Sequence, residues 1–185
     1  MLQHPIPFVG TDIQVYSDAT WTPLADGQSQ QAGLGIHIRL HHHHAENIYV
    51  AALSPPVSSP LQAEAHAMLL AVKVAESLQL RDAYFLTDSQ VLALATRSDR
   101  NASEGPWQIR GTVSQVRASS SFHPSRFFFV PRAHNMKAHH YSKLALRTSS
   151  STVRCLTSGS GLCPVCSVIR VSSVLPLRLM LVKCS

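Results

Sequence analysis

Three acidic side chains stand where a purely structural role would be costly. Asp18 closes the alternating run Ile13 to Ser17, Asp88 follows the apolar run Tyr84-Phe85-Leu86, and Glu64 lies three residues after Leu61 and four before Met68. That spacing puts Glu64 on the apolar stripe of a helix, where an acid is expensive unless paired or coordinated. Taken singly, each Asp reads as a strand-end turn and Glu64 as part of a solvated helix face. Taken together, they read as one site. Crowded carboxylates repel, stay ionised only with cations among them, and as hard oxygen ligands favour Mg²⁺ or Mn²⁺. Two such ions can activate a water, orient a phosphodiester and stabilise the leaving oxygen.

The elements that must position these acids follow from periodicity. Alternation predicts strands over 13–18, 33–40 and 47–53, with a turn over 22–31 at Pro23 and Asp26-Gly27. These form an antiparallel meander. A Pro/Ser loop is expected over 54–60. Ser59-Pro60 then opens a helix to about residue 80, with Ser as N-cap and Pro at the first helical position. A buried strand over 83–87, helices over 90–97 and 106–119, a strand over 126–130 and a helix over 135–147 complete the order. Alternating strands and helices imply crossovers and parallel pairing. The expectation is an α/β fold of three layers: a mixed five-stranded sheet flanked by helices on both faces. If the first and fourth strands are parallel neighbours, Asp18 and Asp88 meet at their carboxyl ends, where α/β sheets commonly place their sites. The first helix then brings Glu64 over the same point.

Length and charge set the frame. The chain has 185 residues, 45 % of them hydrophobic, which suits one domain with an extension. Residues 1–11 read as an N-terminal segment, 12–148 as the domain, and 149–185 as a poorly ordered tail holding all four cysteines and no acid. Residues 1–96 carry three Lys/Arg against eight Asp/Glu, a net −5, whereas residues 97–148 carry nine against two, a net +7. An acidic half followed by a basic half fits a cation site beside a phosphate-binding surface; it also fits ordinary solvated charge. No apolar run is long enough to span a bilayer, and residues 1–10 lack the pattern of a secretory signal. The expectation is therefore an intracellular protein, nuclear or cytoplasmic, acting as a monomer away from membranes.

The motifs resemble a known family. Val15-Tyr16-Ser17-Asp18-Ala19-Thr20-Trp21 is similar to the first-strand Asp motif of the plant type 1 ribonuclease H-like domains related to retrotransposon reverse transcriptases. Ala32-Gly33-Leu34-Gly35-Ile36 resembles their second strand. Gln62-Ala63-Glu64-Ala65-His66-Ala67 resembles the helical Glu motif, and Leu86-Thr87-Asp88-Ser89-Gln90 the second Asp motif. Val130-Pro131-Arg132, Asn135 and Ala138 resemble the last strand and helix. The resemblance implies metal-dependent endonucleolytic cleavage of the RNA strand of an RNA–DNA hybrid. It implies that Asp18, Glu64 and Asp88 are ligands to two Mg²⁺ or Mn²⁺ ions, with Asp18 bridging. It also implies that Ser89, Arg132 and Asn135 contact the nucleic-acid backbone, a hybrid being read by shape, phosphates and 2′-hydroxyls.

One departure bears on catalysis. The family pattern ends Asn-x-x-Ala-Asp, and here Asn135-Met136-Lys137-Ala138 is followed by His139. Imidazole is neutral and softer than a carboxylate, hence a poorer Mg²⁺ ligand. His139 either supports catalysis as a proton shuttle or marks a catalytically weak, retroelement-derived nucleic-acid-binding module. Tyr141-Ser142 also departs, from a Leu-Ala pair. The run His41 to His44 reads as a solvated turn. Cys163-Pro164-Val165-Cys166 is one CxxC where structural zinc usually needs two tight pairs, so the Cys155, Cys163, Cys166 and Cys184 set is not read as a zinc site. Phe127 to Phe129 read as core strand, and Trp21 as either packing or groove lining.

Overall fold

The computed structural model describes residues 13–23, 30–40, 47–98, 105–148, 151–156, 168–175 and 177–185. The His41–His44 run, the Asp26-Gly27 turn and the Cys163–Cys166 pair lie outside the described residues. Strands β1 (Gln14–Thr20), β2 (Gln30–Arg39) and β3 (Asn47–Val57) form the expected antiparallel meander. Then follow α1 (Pro60–Ser77), β4 (Tyr84–Thr87), α2 (Gln90–Arg97), α3 (Arg110–Arg117), β5 (Phe127–Phe129) and α4 (Met136–Arg147). The described part of 149–185 adds β6 (Val153–Cys155), a short α5 (Val171–Val174) and β7 (Met180–Cys184).

The sheet order is β5-β4-β1-β2-β3-β7-β6, with β4 parallel to both β1 and β5 and β7 antiparallel to β3. Seven strands therefore replace the expected five, because β7 pairs with β3 from Ile48↔Cys184 to Ala52↔Met180 and β6 pairs with β7. The segment read as poorly ordered thus contributes regular structure.

Further boundaries differ from the sequence reading: β2 begins at Gln30, inside the span read as a turn over 22–31, instead of at Gly33. β3 runs through Ser54-Pro55-Pro56 instead of ending at Leu53. The ladder breaks between Gln31 and Gly33, and there the Ser54 hydroxyl accepts the Ala32 N–H at 2.8 Å. A side chain thus satisfies a backbone donor that a proline-containing strand leaves unpaired. β1 continues past Asp18, because Ala19 and Thr20 still pair with Leu34 and Gly33.

The two faces of the sheet are packed differently. On one, Val15, Leu34, Ile36, Val50 and Phe85 meet the Ala-rich side of α1, forming the main core. Ser59 caps α1 by accepting the Gln62 N–H, and Pro60 occupies its first turn, as the sequence predicts. At the other end Gln79 adopts φ 57°, with Leu80 N–H bonded to Ala75 O and Gln79 N–H to Glu76 O. This is a Schellman stop made without glycine. Of the Phe127 to Phe129 run read as core strand, only Phe127 is fully buried, stacking on Phe85 at 4.9 Å; Phe128 is half-buried and Phe129 is 44 % exposed. Among the described residues, the helix on the second face is α4. It sits directly on β2, where a Cβ on Gly33 would lie 2.0 Å from Ser142 O and one on Gly35 1.9 Å from Ala138 O. Only hydrogen at these two positions lets the helix backbone come so close.

Candidate active site

The parallel pairing of β1 and β4 ends at Ser17↔Thr87, so Asp18 and Asp88 each follow by one residue on neighbouring strands. The meeting of these two acids, inferred from topology, is observed. Glu64, in the second turn of α1, reaches the same point and accepts the Ala19 N–H. One ligand oxygen from each of Asp18, Glu64 and Asp88 lies within 4.8 Å of the others.

Burial and mutual charge strain this cluster. Asp18 is fully buried and its carboxyl is pushed up, chiefly by burial and further by Asp88, with hydrogen bonds from Ser142 and His139 working the other way. Glu64 is pushed well above the usual carboxylate range by burial first and then by Asp18 and Asp88; the Ala19 N–H and the Arg132 charge offset part of this. Asp18 Oδ1 and Glu64 Oε2 are buried and have no hydrogen-bond partner among the described residues. Buried carboxylate oxygens without donors are costly, and a hard divalent cation is the partner that suits an all-oxygen donor set. The three residues therefore fit such an ion.

The second face of the sheet supplies the rest. Because α4 rests on the two glycines, His139 and Ser142, one turn apart, both reach Asp18. Ser142 Oγ donates to Asp18 Oδ2 at 2.8 Å, and His139 Nδ1 lies 3.0 Å from the same oxygen. Thr20 Oγ1 backs Ser142 at 2.7 Å. Arg132, in the 3₁₀ turn before α4, places Nη2 2.9 Å from His139 Nδ1 and 3.2 Å from Nε2, and Nη1 3.6 Å from Asp88 Oδ2.

Asn135 differs from the reading that set it against a nucleic-acid backbone. It is 1 % exposed, and its amide donates to Ser17 O at 2.8 Å and Asp88 Oδ1 at 3.2 Å. Its side chain is thereby withdrawn from capping α4 and instead ties the helix to the two strand ends that carry the acids. Ser89 caps α2 by accepting the Leu92 N–H at 3.4 Å and stays half-buried at the rim. Trp21 packs partly buried against the main core. Ser142 was visible in the sequence only as a departure from Leu-Ala. Its place three residues after His139, on one helical face, is the signal that links them.

Fold and site together define a ribonuclease H-like domain. A model of the reverse transcriptase-like family matches residues 22–145, and the chain belongs to that family. No curated protein sequence matches it. Among solved structures it resembles ribonuclease H1 from the halophilic archaeon Halobacterium salinarum (TM-score 0.56, 19 % identity, covering 74 % of this chain and 98 % of that one). It also resembles the N-terminal ribonuclease H domain of a Mycobacterium tuberculosis protein, solved as a fusion with maltose-binding protein (TM-score 0.56, 16 % identity, 74 % and 94 %). A third is a ribonuclease H1 isolated from compost by a metagenomic approach (TM-score 0.54, 16 % identity, 74 % and 96 %). At these identities the likeness concerns the fold.

Proposed function

We propose that this protein is a divalent-metal-dependent endonuclease that cleaves the RNA strand of RNA–DNA hybrids. The observation that carries this reading is the convergence of Asp18, Glu64 and Asp88, one ligand oxygen from each within 4.8 Å of the others, at the end of two parallel strands of a ribonuclease H-like sheet, with Asp18 Oδ1 and Glu64 Oε2 buried and unpartnered among the described residues. Asp18, Glu64 and Asp88 would hold Mg²⁺ or Mn²⁺. A bound ion supplies Lewis acidity toward a phosphodiester oxygen and lowers the pKa of its water.

The chain's own groups do the positioning. Asn135 orients Asp88 against β1, while Ser142 and His139 fix the plane of the Asp18 carboxylate. Arg132, exposed on its outer side, presents a guanidinium to a phosphate, and Ser89 lies at the same rim. The motifs around the three acids support a type 1, plant retroelement-derived domain; that it works as a monomer is part of the same proposal.

Incubating the full chain with a labelled hybrid and Mg²⁺ or Mn²⁺ tests the reading: cleavage of the RNA strand is expected. Asp88→Asn keeps the shape but removes a charge, and should reduce cleavage by about a thousandfold or more with an unchanged circular dichroism spectrum. Activity surviving in Asp88→Asn would mean that the site lies elsewhere. A second reading, a binding module of little activity, is favoured by one observation: Asp18 Oδ2 is already satisfied by protein donors. Tight hybrid binding without cleavage in either metal would select it.

A further inference from the structure

The two oxygens of Asp18 are not equivalent. Oδ2 has Ser142 Oγ at 2.8 Å and His139 Nδ1 at 3.0 Å, so protein groups already crowd that oxygen. Oδ1 is buried with no partner among the described residues, as is Glu64 Oε2. A carboxylate that binds two cations through separate oxygens needs both of them free, and Asp18 has one unpartnered oxygen among the described residues.

His139 is committed in the same way. Its Nδ1 lies 3.0 Å from Asp18 Oδ2 and 2.9 Å from Arg132 Nη2, and its Nε2 lies 3.2 Å from the same guanidinium nitrogen. Neither nitrogen is left for a metal, and His139 stands outside the group of three residues whose ligand atoms converge. Arg132 closes the outer side, with Nη1 3.6 Å from Asp88 Oδ2. A positive charge thus stands within ion-pair distance of Asp88, and a second cation placed beside the same carboxylate would be repelled by it. The arrangement is held by the fold, since α4 cannot retreat or tilt freely while its backbone rests on Gly33 and Gly35.

We infer that the site takes one divalent cation, on Asp18 Oδ1, Glu64 Oε2 and Asp88, and that the Arg132–His139 pair replaces a second cation as the positive partner for a phosphodiester. The guanidinium keeps outward N–H groups to offer, because the Arg132 side chain is 59 % exposed. This inference rests on the metal-dependent reading above and replaces its two-ion expectation.

Counting bound Mn²⁺ by electron paramagnetic resonance tests it, using the full chain saturated with a 2′-O-methyl RNA–DNA hybrid, which resists cleavage. One ion per chain is expected. Two ions would overturn the inference and leave the nuclease reading standing; no bound ion would end the nuclease reading, and the inference with it. The double variant His139→Asp/Ser142→Ala frees Asp18 Oδ2 and adds a carboxylate, so its count should rise to two, and a count that stays at one overturns the inference. Should that variant fold poorly by circular dichroism, Arg132→Ala gives an independent measurement. Removing the competing charge should tighten Mn²⁺ binding by about threefold or more, and weaker binding would show that Arg132 supports the metal instead of standing in for one.

Discussion

His37 illustrates how a single buried side chain links this fold to pH. Its ring stacks between Tyr16 at 5.4 Å and Tyr49 at 5.0 Å, and Nε2 donates to Asn47 Oδ1 at 2.8 Å. Burial is the largest cause of its pKa falling from 6.5 to about 4; the Asn47 bond opposes this, and Lys137 and Arg39 add to the fall. The folded protein therefore holds His37 neutral where the unfolded chain protonates it. The stability it contributes is complete above pH 6.5 and is lost as pH falls toward 4. At pH 5 the loss amounts to about 2 kcal/mol relative to pH 7.5. His37→Gln keeps a donor for Asn47 and cannot titrate, so urea unfolding should show a pH 7.5 to 5 decline smaller by that amount; an unchanged decline would mean that His37 titrates normally. At this same scale the acids were legible in the sequence, because Glu64 interrupts an apolar helical stripe and Asp88 ends an apolar strand. Asn135 and Ser142 were not legible in their roles, since what they bond comes from β1 and β4, far away in the chain. The basic stretch after residue 97 was only partly legible as a phosphate surface. Arg117 bonds to Ala95 O and Ser98 O, and Arg126 to Asp82 and Arg81 O, so two of its charges serve the domain itself.

At the scale of elements, the contact between α4 and β2 decides whether His139 and Ser142 reach Asp18 at all. A Cβ on Gly35 would lie 1.9 Å from Ala138 O and 2.5 Å from Ser142 N, atoms of a helix backbone that cannot rotate aside. Gly35→Ala must therefore lift α4 from the sheet by an ångström or so, and overpacking of this kind costs about 3 kcal/mol. The lift also separates His139 and Ser142 from Asp18, so hybrid cleavage should fall further than the loss of folded protein explains. Urea unfolding beside a cleavage assay on the folded fraction checks both, and a Gly35→Ala protein as stable as the parent would contradict the close packing. The sequence showed the glycines as part of a motif, but no local pattern says which helix they admit. Helix α1 was readable from its Ser59-Pro60 cap and its periodicity. β3 was cut short because Pro55-Pro56 reads as a loop; the strand continues because Gln30 and Gln31 still pair with Val57 and Pro56 across the bulge.

The whole molecule is closed on one side by the segment least legible in the sequence. Met180 and Val182 of β7 join the main core, while Leu181 packs under α4 with Ala51 and Ala145. A strand covered on both faces has no alternation to detect, which is why Met180-Leu181-Val182 gave no period. Yet the solved ribonuclease H structures are covered almost completely by about three quarters of this chain, 98 % of one against 74 % of this protein. That supports the proposal that residues 12–148 fold by themselves and that β6 and β7 are an addition to the sheet. Deleting residues 149–185 should then leave a folded domain with two defects. Losing β7 exposes apolar surface that Met180, Leu181 and Val182 cover, a loss of about 3 kcal/mol, or roughly 10 °C in Tm. It also uncovers the β3 edge from Ile48 to Ala52, whose N–H and C=O groups now pair with β7. An uncovered edge strand rich in apolar residues is a template for another chain. The truncated protein should therefore show native-like circular dichroism, a lower Tm and concentration-dependent self-association in sedimentation. An unfolded product would move the domain boundary into the tail. A truncated protein that is monomeric and as stable as the full chain would show that β7 contributes nothing to the sheet it extends.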